Sequence, residues 1–337
     1  MSRGDHMKTY GMTNSELSSL KEFEKETPVP TGTDLLVKIE GLSINPVDIA
    51  TRKSFGGNDV QPLILGFDGY GTVTATGDQV NNFKAGDKVF FAGDHTRDGS
   101  YQEYELVDER IVALAPTKTS IEESVAMPLV TLTASELLYE KLHVDPKEDN
   151  SDKTILIING AGGVGSIAIQ LAHLAGLRVI ATASTDEKVK WVKDLGADLV
   201  VNHHDDLIKQ VHDLGINTVD YILGLSDNDP HWNEIVELIK PFGIFATITN
   251  LRDSQIGDLK QKSADFAWEW MFTKAFYNLD SMSTQGDYLE QLATGLDGGM
   301  IKSTTTKVLH GLNVETLTKA TELVEAGHMM GKVVVIK

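Results

Sequence analysis

Apolar and polar positions alternate through the first third of the chain. Leu35-Leu-Val-Lys-Ile-Glu40, Gly71-Thr-Val-Thr-Ala-Thr76 and Asp87-Lys-Val-Phe-Phe91 are short β-rich runs, with turn chemistry at Asp34 and Gly86-Asp87 between them. Few stretches of helical period interrupt them. Residues up to about 115 therefore read as an irregular, mostly antiparallel β domain. Past Pro116 the period lengthens. Residues 120–142 read as helix-rich, with Ser120-x-x-Glu123 as a capping box, and the polar residues 146–153 read as a loop.

A different rhythm follows. Strands over 154–159, 178–183, 199–201, 219–223 and 243–248 alternate with helices over 163–175, through Trp191 and Leu195, and over 232–239. Strands spaced by helices of that length imply a parallel, doubly wound sheet. A helix (314–326) and a strand (332–336) end the chain. The pattern predicts an α/β protein with a β domain over 1–130, completed by 298–337, and a doubly wound domain over 131–297. The most apolar long window, 155–183, contains Gln170, His173 and Arg178 and changes period partway, so it does not read as a membrane span.

Composition then narrows the partners. The chain has 30 Lys+Arg against 49 Asp+Glu, a formal charge of −19, which disfavours nucleic acid and anionic membrane surfaces. It has 0 cysteines, so disulfides, thiol nucleophiles and thiolate zinc sites are all excluded. The segment Met1–Met7 is short and polar, with no signal-peptide core. It reads as a cloning remnant ahead of a start at Met7, and the expected location is cytoplasmic.

Candidate chemistry begins at the end of the first parallel strand. Gly160-Ala161-Gly162-Gly163-Val164-Gly165 fits G-x-G-x-x-G, follows an apolar strand directly and opens an apolar helix. That context makes it a dinucleotide loop. Gly160 permits the tight turn, Gly162 lets the backbone approach a diphosphate, and Gly165 lets the helix pack on the strand. The unpaired first-turn amides then face the anion. An NAD site usually places a carboxylate about 20 residues further on. Here Ser184 and Thr185 stand at the end of the second strand, with Lys188 close behind. Two hydroxyls and a cation suit a 2′-phosphate, so NADPH (NADP) is the expected cofactor. Asp186 and Glu187 read as first-turn acids of the next helix, with Ser184-x-x-Glu187 as its capping box, although they leave negative charge nearby.

Several spaced markers carry a resemblance. They are Asn45-Pro-Val-Asp48, Gly66-Phe-Asp68-Gly-Tyr-Gly-Thr-Val73, Gly86-Asp-Lys-Val89, Glu103-Tyr104, Leu132-Thr-Ala134, the glycine loop, Leu195-Gly-Ala-Asp198 and Gly331-Lys-Val-Val334. In this order they resemble the medium-chain dehydrogenase/reductase superfamily, on the zinc-free quinone oxidoreductase side, and the zinc-type alcohol dehydrogenase-like group in particular. The resemblance implies a GroES-like β domain, a Rossmann domain, reaction in the cleft between them, and a homodimer or homotetramer. Zinc-dependent members carry a Cys or equivalent where this chain has Asn45, and a His-Glu pair where it has Phe67-Asp68. Phe67 cannot ligate a metal, and no metal site is expected. His203-His204 read as neighbours on a strand end with their rings on opposite sides.

Without a Lewis acid, alcohol oxidation lacks its usual means of lowering the hydroxyl pKa. Hydride transfer to a quinone or α,β-unsaturated carbonyl needs only hydrogen-bond stabilisation and a proton. The expected activity is therefore an NADPH-dependent quinone or enone oxidoreductase. The alternatives are an alcohol or aldehyde dehydrogenase, or an NADPH-binding sensor with little turnover.

The resemblance places Asn45 beside the nicotinamide and substrate, against a plain turn role before Pro46. It places Thr133 near the nicotinamide ribose, Leu225 and Ile248 along the cofactor, His203 near the adenosine phosphate, and Lys332 in the last strand. Each has a packing or surface alternative. Tyr101 is the expected proton donor, and Tyr70 and Phe55 are expected beside it in the acceptor pocket; core packing is the competing reading. The aromatic run 266–277 reads as a helix on the sheet, or as a cleft wall or subunit contact.

Overall fold

The computed structural model describes residues 6–58, 60–253 and 255–337. Met1–Asp5, which carry most of the expected cloning remnant, lie outside them. The chain forms two compact units, Met1–Leu132 with Phe272–Lys337, and Thr133–Met271.

In chain order the first passage through unit 1 gives β1 (His6–Met12), β2 (Leu20–Glu26), β3 (Asp34–Ile44), α1 (Pro46–Ser54), β4 (Asp68–Thr76), β5 (Lys88–Phe91), β6 (Tyr104–Asp108), β7 (Val112–Leu114), α2 (Ile121–Val125) and α3 (Pro128–Ser135). A π-helical turn, Glu136–Lys141, continues α3. Unit 2 carries β8 (Thr154–Ile158), α4 (Gly163–Leu174), β9 (Arg178–Thr182), α5 (Asp186–Asp194), β10 (Leu199–Val201), α6 (Leu207–Asp213), β11 (Val219–Gly224), α7 (Trp232–Leu238), β12 (Ile239–Thr247) and β13 (Asp265–Trp268). The return to unit 1 gives α8 (Thr273–Phe276), α9 (Ser283–Asp297), β14 (Thr305–His310), α10 (Val314–Glu325) and β15 (Lys332–Ile336).

Unit 1 is built on a sheet of order β14-β15-β3-β4-β5-β7, with β6 also on β3 and β1-β2 as a separate hairpin. β3 is long enough to serve β4, β6 and β15, all antiparallel to it. Its residues feed two cores. Leu35, Val37 and Ile39 join Val73, Val89, Phe91 and Val107. Leu42 and Ile44 join Tyr10, Met12, Tyr101, Leu317, Val333 and Val335. Unit 2 is a six-stranded parallel sheet of order β10-β9-β8-β11-β12-β13. Ile155 to Ile158 are buried consecutively, as befits a strand covered on both faces. Together the units are the expected GroES-like and Rossmann folds.

Four local expectations need correction or adjustment. The Ser120–Glu123 capping box is present in both directions, but α5 is capped one residue later than expected. Thr185 is its N-cap and its Oγ1 accepts from the Lys188 amide at 3.3 Å. The aromatic run is not one helix. Residues 265–268 form β13 on the outer edge of the parallel sheet, and α8 starts only at Thr273. The chain also rejoins unit 1 at Phe272 and not at residue 298. The reason is packing: Asp297, at the end of α9, accepts from the Thr117 and Lys118 amides, and Gly286 lies close to the Arg110 carbonyl. His203 and His204 follow β10 in a turn and are not part of a strand. Their rings sit side by side, with centroids 4.3 Å apart.

Candidate functional site

The carboxyl ends of the parallel strands in unit 2 are aligned. Register pairs Thr182 with Val201, Ile158 with Gly224, Gly224 with Thr247 and Thr247 with Trp268. Most of the expected cofactor residues sit just past this row: 160–165 after β8, Ser184, Thr185 and Lys188 after β9, His203 after β10, Leu225 after β11 and Ile248 after β12. Ligands bind outside the carboxyl ends of such sheets, where strand order reverses. Here the order reverses at β8, which has β9 on one side and β11 on the other.

The turn after β8 is held from below. Asn159 adopts a left-handed φ of 67° and its amide donates to Thr182 Oγ1 at 2.8 Å. The Gly160 amide donates to the Thr182 carbonyl at 3.2 Å. A Cβ on Gly160 would lie 2.9 Å from that of Ala181, and one on Gly165 would lie 2.3 Å from the Asn159 carbonyl oxygen. These two glycines are therefore demanded by packing of α4 on the sheet. Gly162 differs: a Cβ there would meet only the Asn159 side-chain end, at 2.8 Å. Gly162 is also the N-cap of α4, and no side chain caps that end. A twelve-residue helix thus presents uncapped first-turn amides at the site where an anion gains most from them. Asn159 was not among the sequence candidates; an Asn directly before a glycine turn, tolerant of left-handed backbone, was the available signal.

Around the neighbouring strand ends, Ser184 and Lys188 are half-buried and Thr185 is exposed. Burial, and the charges of His204, His231 and Lys188, hold His203 below the ordinary histidine range. Leu225 is buried and Ile248 half-buried. Thr133 is buried in α3, an element that belongs to none of the parallel strands.

The unit 1 candidates form a different arrangement. Asn45 caps α1, where its amide N–H donates to Asp48 Oδ2 at 2.8 Å. Its side-chain Nδ2 donates to Asp68 Oδ2 at 2.8 Å, and its Oδ1 accepts from Lys332 Nζ. Lys332 also reaches the Ile44 carbonyl and Asp68 Oδ2, each at 3.3 Å. Asp68 takes two more donors, Ser43 Oγ at 3.0 Å and the Leu129 amide at 2.8 Å. Asp48 accepts from the Gly66 amide as well. Burial nevertheless pushes its carboxyl up to about 7. Burial also lowers the Lys332 ammonium, against the pull of Asp68. This is a closed polar cluster joining β3, α1, β4 and β15.

Tyr101 is corrected from proton donor to core residue. It is 1% exposed among aliphatic side chains, and its phenol bonds to Thr321. Burial raises that phenol well above its ordinary value, so it resists ionising. Tyr70 is buried in β4 and Phe55 half-buried past α1. A titratable group that the sequence reading passed over lies nearby in unit 1. His95 stacks on Phe67 with centroids 5.5 Å apart and meets the edge of Phe272 at 5.4 Å. Its Nε2 is 3.3 Å from Thr51 Oγ1. Asp94-His95-Thr96 carries no motif, so only the fold brings these rings together.

Comparison with known proteins places the site in context. Residues 31–117 match the alcohol dehydrogenase GroES-like domain, and residues 163–269 match the zinc-binding dehydrogenase family. The chain is 40% identical to a zinc-type alcohol dehydrogenase-like protein of Staphylococcus epidermidis, over 98% of this chain and 99% of the other. It superposes with a TM-score of 0.95, at 37% identity and 99% coverage of both chains, on a Rhizobium etli CFN 42 protein assigned as a zinc-dependent alcohol dehydrogenase. The quinone oxidoreductase of Coxiella burnetii gives a TM-score of 0.81 at 26% identity, covering 99% of this chain and 100% of that one.

The zinc in these descriptions does not fit the donors found here. Among the described residues no three His, Asp or Glu side chains gather into a metal-holding group. At the places that resemble ligand positions, Phe67 offers no donor atom, and Asn45 and Asp68 are already bonded to each other and to Lys332. A nicotinamide dinucleotide does fit, because the glycine cradle and the uncapped end of α4 are the features it requires. Among the described residues no helix is long and apolar enough to cross a membrane.

Proposed function

Because the chain belongs to the medium-chain dehydrogenase/reductase superfamily and its zinc-type alcohol dehydrogenase-like group, and is an oxidoreductase of that family, we propose that it reduces quinones or α,β-unsaturated carbonyls with NADPH and without zinc. The observation that carries the reading is the uncapped α4 terminus behind Gly160–Gly165, combined with strand ends that put no carboxylate directly after β9. NADPH, when bound, supplies a hydride from its nicotinamide ring.

The chain's own groups do the rest. First-turn amides of α4 take the diphosphate, while Ser184, Thr185, Lys188 and His203 receive the phosphorylated ribose. Leu225 and Ile248 line the cofactor past β11 and β12, and Thr133 contributes from α3. Asn45 and Lys332 act as positioning residues: through Asp68 they tie the last strand to the start of α1. The stacked rings of Phe67 and His95, with Phe272 edge-on to His95, suit a planar conjugated acceptor, and His95 offers a nitrogen to hydrogen-bond its oxygen as negative charge develops. Because burial lowers His95, it is largely neutral near pH 7 and acts there as a hydrogen-bond partner. The exposed β13 edge, with Trp268 53% accessible, suits pairing with a second copy, which supports a homodimer.

Steady-state oxidation of NADPH and NADH against a panel of quinones and enones tests this reading. Turnover with NADPH preferred over NADH is expected. Tight NADPH binding with no oxidation by any acceptor would favour the sensor instead, and oxidation of simple alcohols by NADP would favour the dehydrogenase.

A further inference from the structure

Three histidines of unit 2 converge from opposite sides of the strand-end crevice. His203 and His204 follow β10, whereas His231 follows β11. Two strands, β9 and β8, separate those elements in the sheet. At the usual strand spacing this is about 14 Å. Yet the His203 and His231 rings meet edge to face at 6.2 Å, and His203 lies 4.3 Å from His204. The imidazoles therefore meet in the loops past the strand ends, within electrostatic reach of Lys188 at the start of α5. The Nδ1 atoms of His203 and His231 are buried and find no hydrogen-bond partner among the described residues. Two buried, unsatisfied ring nitrogens in a cluster beside Lys188 are costly unless something polar completes them.

We propose that His204 and His231, together with His203 and Lys188, select the 2′-phosphorylated nucleotide by taking up protons when its phosphate binds. This rests on the reading of unit 2 as an NADPH site and adds two residues and a proton linkage to it. Burial first, and then the charges of His204, His231 and Lys188, hold His203 below the ordinary histidine range, and rings this close repel when protonated. A phosphate dianion among them reverses the balance, since opposite charge favours the imidazolium. Each ring that gains a proton then bonds the phosphate through a charge-assisted contact. A nucleotide without the 2′-phosphate brings no such charge and draws no proton.

The other charges around the cluster are largely committed. Asp206 caps α6 through the Lys209 amide, and Asp205 accepts from Asn202 Nδ2. Asp227 and Asp229 hold Arg252. Asp186 and Glu187 lie exposed in the first turn of α5, where the helix end compensates them.

The test uses the full chain with two probes, 2′,5′-ADP and 5′-AMP, titrated calorimetrically at about pH 6 and about pH 8, on either side of the imidazole range. Each is run in two buffers of unlike ionisation enthalpy. In the wild type, 2′,5′-ADP should bind with net proton uptake, and about tenfold or more tighter than 5′-AMP at the lower pH. That preference should fall about fivefold at the higher pH, although the phosphate itself is then more fully ionised, with a pKa of about 6. His204→Gln with His231→Gln should keep 5′-AMP binding, which reports an intact fold, and lose the pH dependence of the preference. A wild-type preference that is flat or rises with pH, or a double variant that retains the wild-type profile, overturns the proposal. Equal binding of the two probes at both pH values overturns it along with the choice of NADPH, leaving the dinucleotide site standing. Failure of both probes to bind overturns the dinucleotide reading as well.

Discussion

The glycines of the loop do two different jobs, and single substitutions should separate them. A side chain at Gly165 runs into backbone, the Asn159 carbonyl at 2.3 Å and the Gly160 Cα at 2.8 Å, which cannot yield without moving β8 or α4. Gly165→Ala should destabilise unit 2 by about 1–3 kcal/mol, as overpacking does. Gly162→Asp meets only the end of the Asn159 side chain, so the protein should stay folded. Its carboxylate, however, stands where the diphosphate is proposed to lie, and NADPH affinity should fall at least about a hundredfold, or about 2.7 kcal/mol. Thermal melts and cofactor titration of both variants check this contrast; equal losses of stability would contradict it. At this scale the cradle was legible because glycine spacing encodes backbone demands. The histidine cluster was not, since His203 and His231 are distant in sequence and meet only through the sheet's geometry. Asn45 shows a third case. Its type and spacing pointed to a site, but the bonds its side chain makes to Asp68 and Lys332 are long-range and leave no local pattern.

At the scale of elements, α3 runs into a π-helical turn, and that turn positions a buried pair of acids. Glu136 and Glu269 are both at least nine-tenths buried and hydrogen-bonded to each other, with Lys141 Nζ 3.5 Å from Glu269. Glu269 extends from the end of β13, where its amide donates to the Thr247 carbonyl. Burial first, and the Glu136 carboxyl second, raise Glu269 to about 9 from an ordinary 4.5. The folded protein thus holds a proton there that the unfolded chain releases. This stabilising contribution is complete below about pH 4.5 and drains away as pH rises through about 9. The melting temperature should therefore drop by several degrees between about pH 6 and about pH 9. Glu269→Gln, which keeps the hydrogen bond without the ionisation, should flatten much of that decline, the remainder tracking Asp48. An unchanged slope in the variant would remove the pair from the account. Most parallel strands and their helices were legible from periodicity. The segment 265–277 was not: its aromatic residues fit a helical stripe, but pairing with β12 made an edge strand of its first part, a tertiary choice overriding local pattern.

For the whole molecule, the deciding feature is that unit 2 is one continuous segment and unit 1 is not. The last strand, β15, is inserted between β14 and β3, so the first-unit sheet is incomplete until the final residues arrive. The rhythm of the sequence revealed that the chain returns; it placed the crossing at 298 because nothing in the composition of α8 and α9 declares which unit they pack on. Ending the chain at Gly331 would remove Val333, Val334, Val335 and Ile336, none more than 9% exposed. At about 1.5–3 kcal/mol for each buried side chain, the loss is about 6–12 kcal/mol. That rivals the whole stability of a typical domain, about 5–15 kcal/mol. The same cut removes Lys332 and leaves Asp68 buried without its cation, a further penalty of the kind that dominates when one partner of a buried pair is lost. Hydrogen exchange followed by mass spectrometry should then show protection lost across β3 to β7 and kept across β8 to β12. The truncated chain should still bind NADPH, because every group proposed for the diphosphate lies within Thr133–Met271. Loss of protection in both units together would mean that the Rossmann sheet depends on its neighbour for stability, despite having its own continuous core.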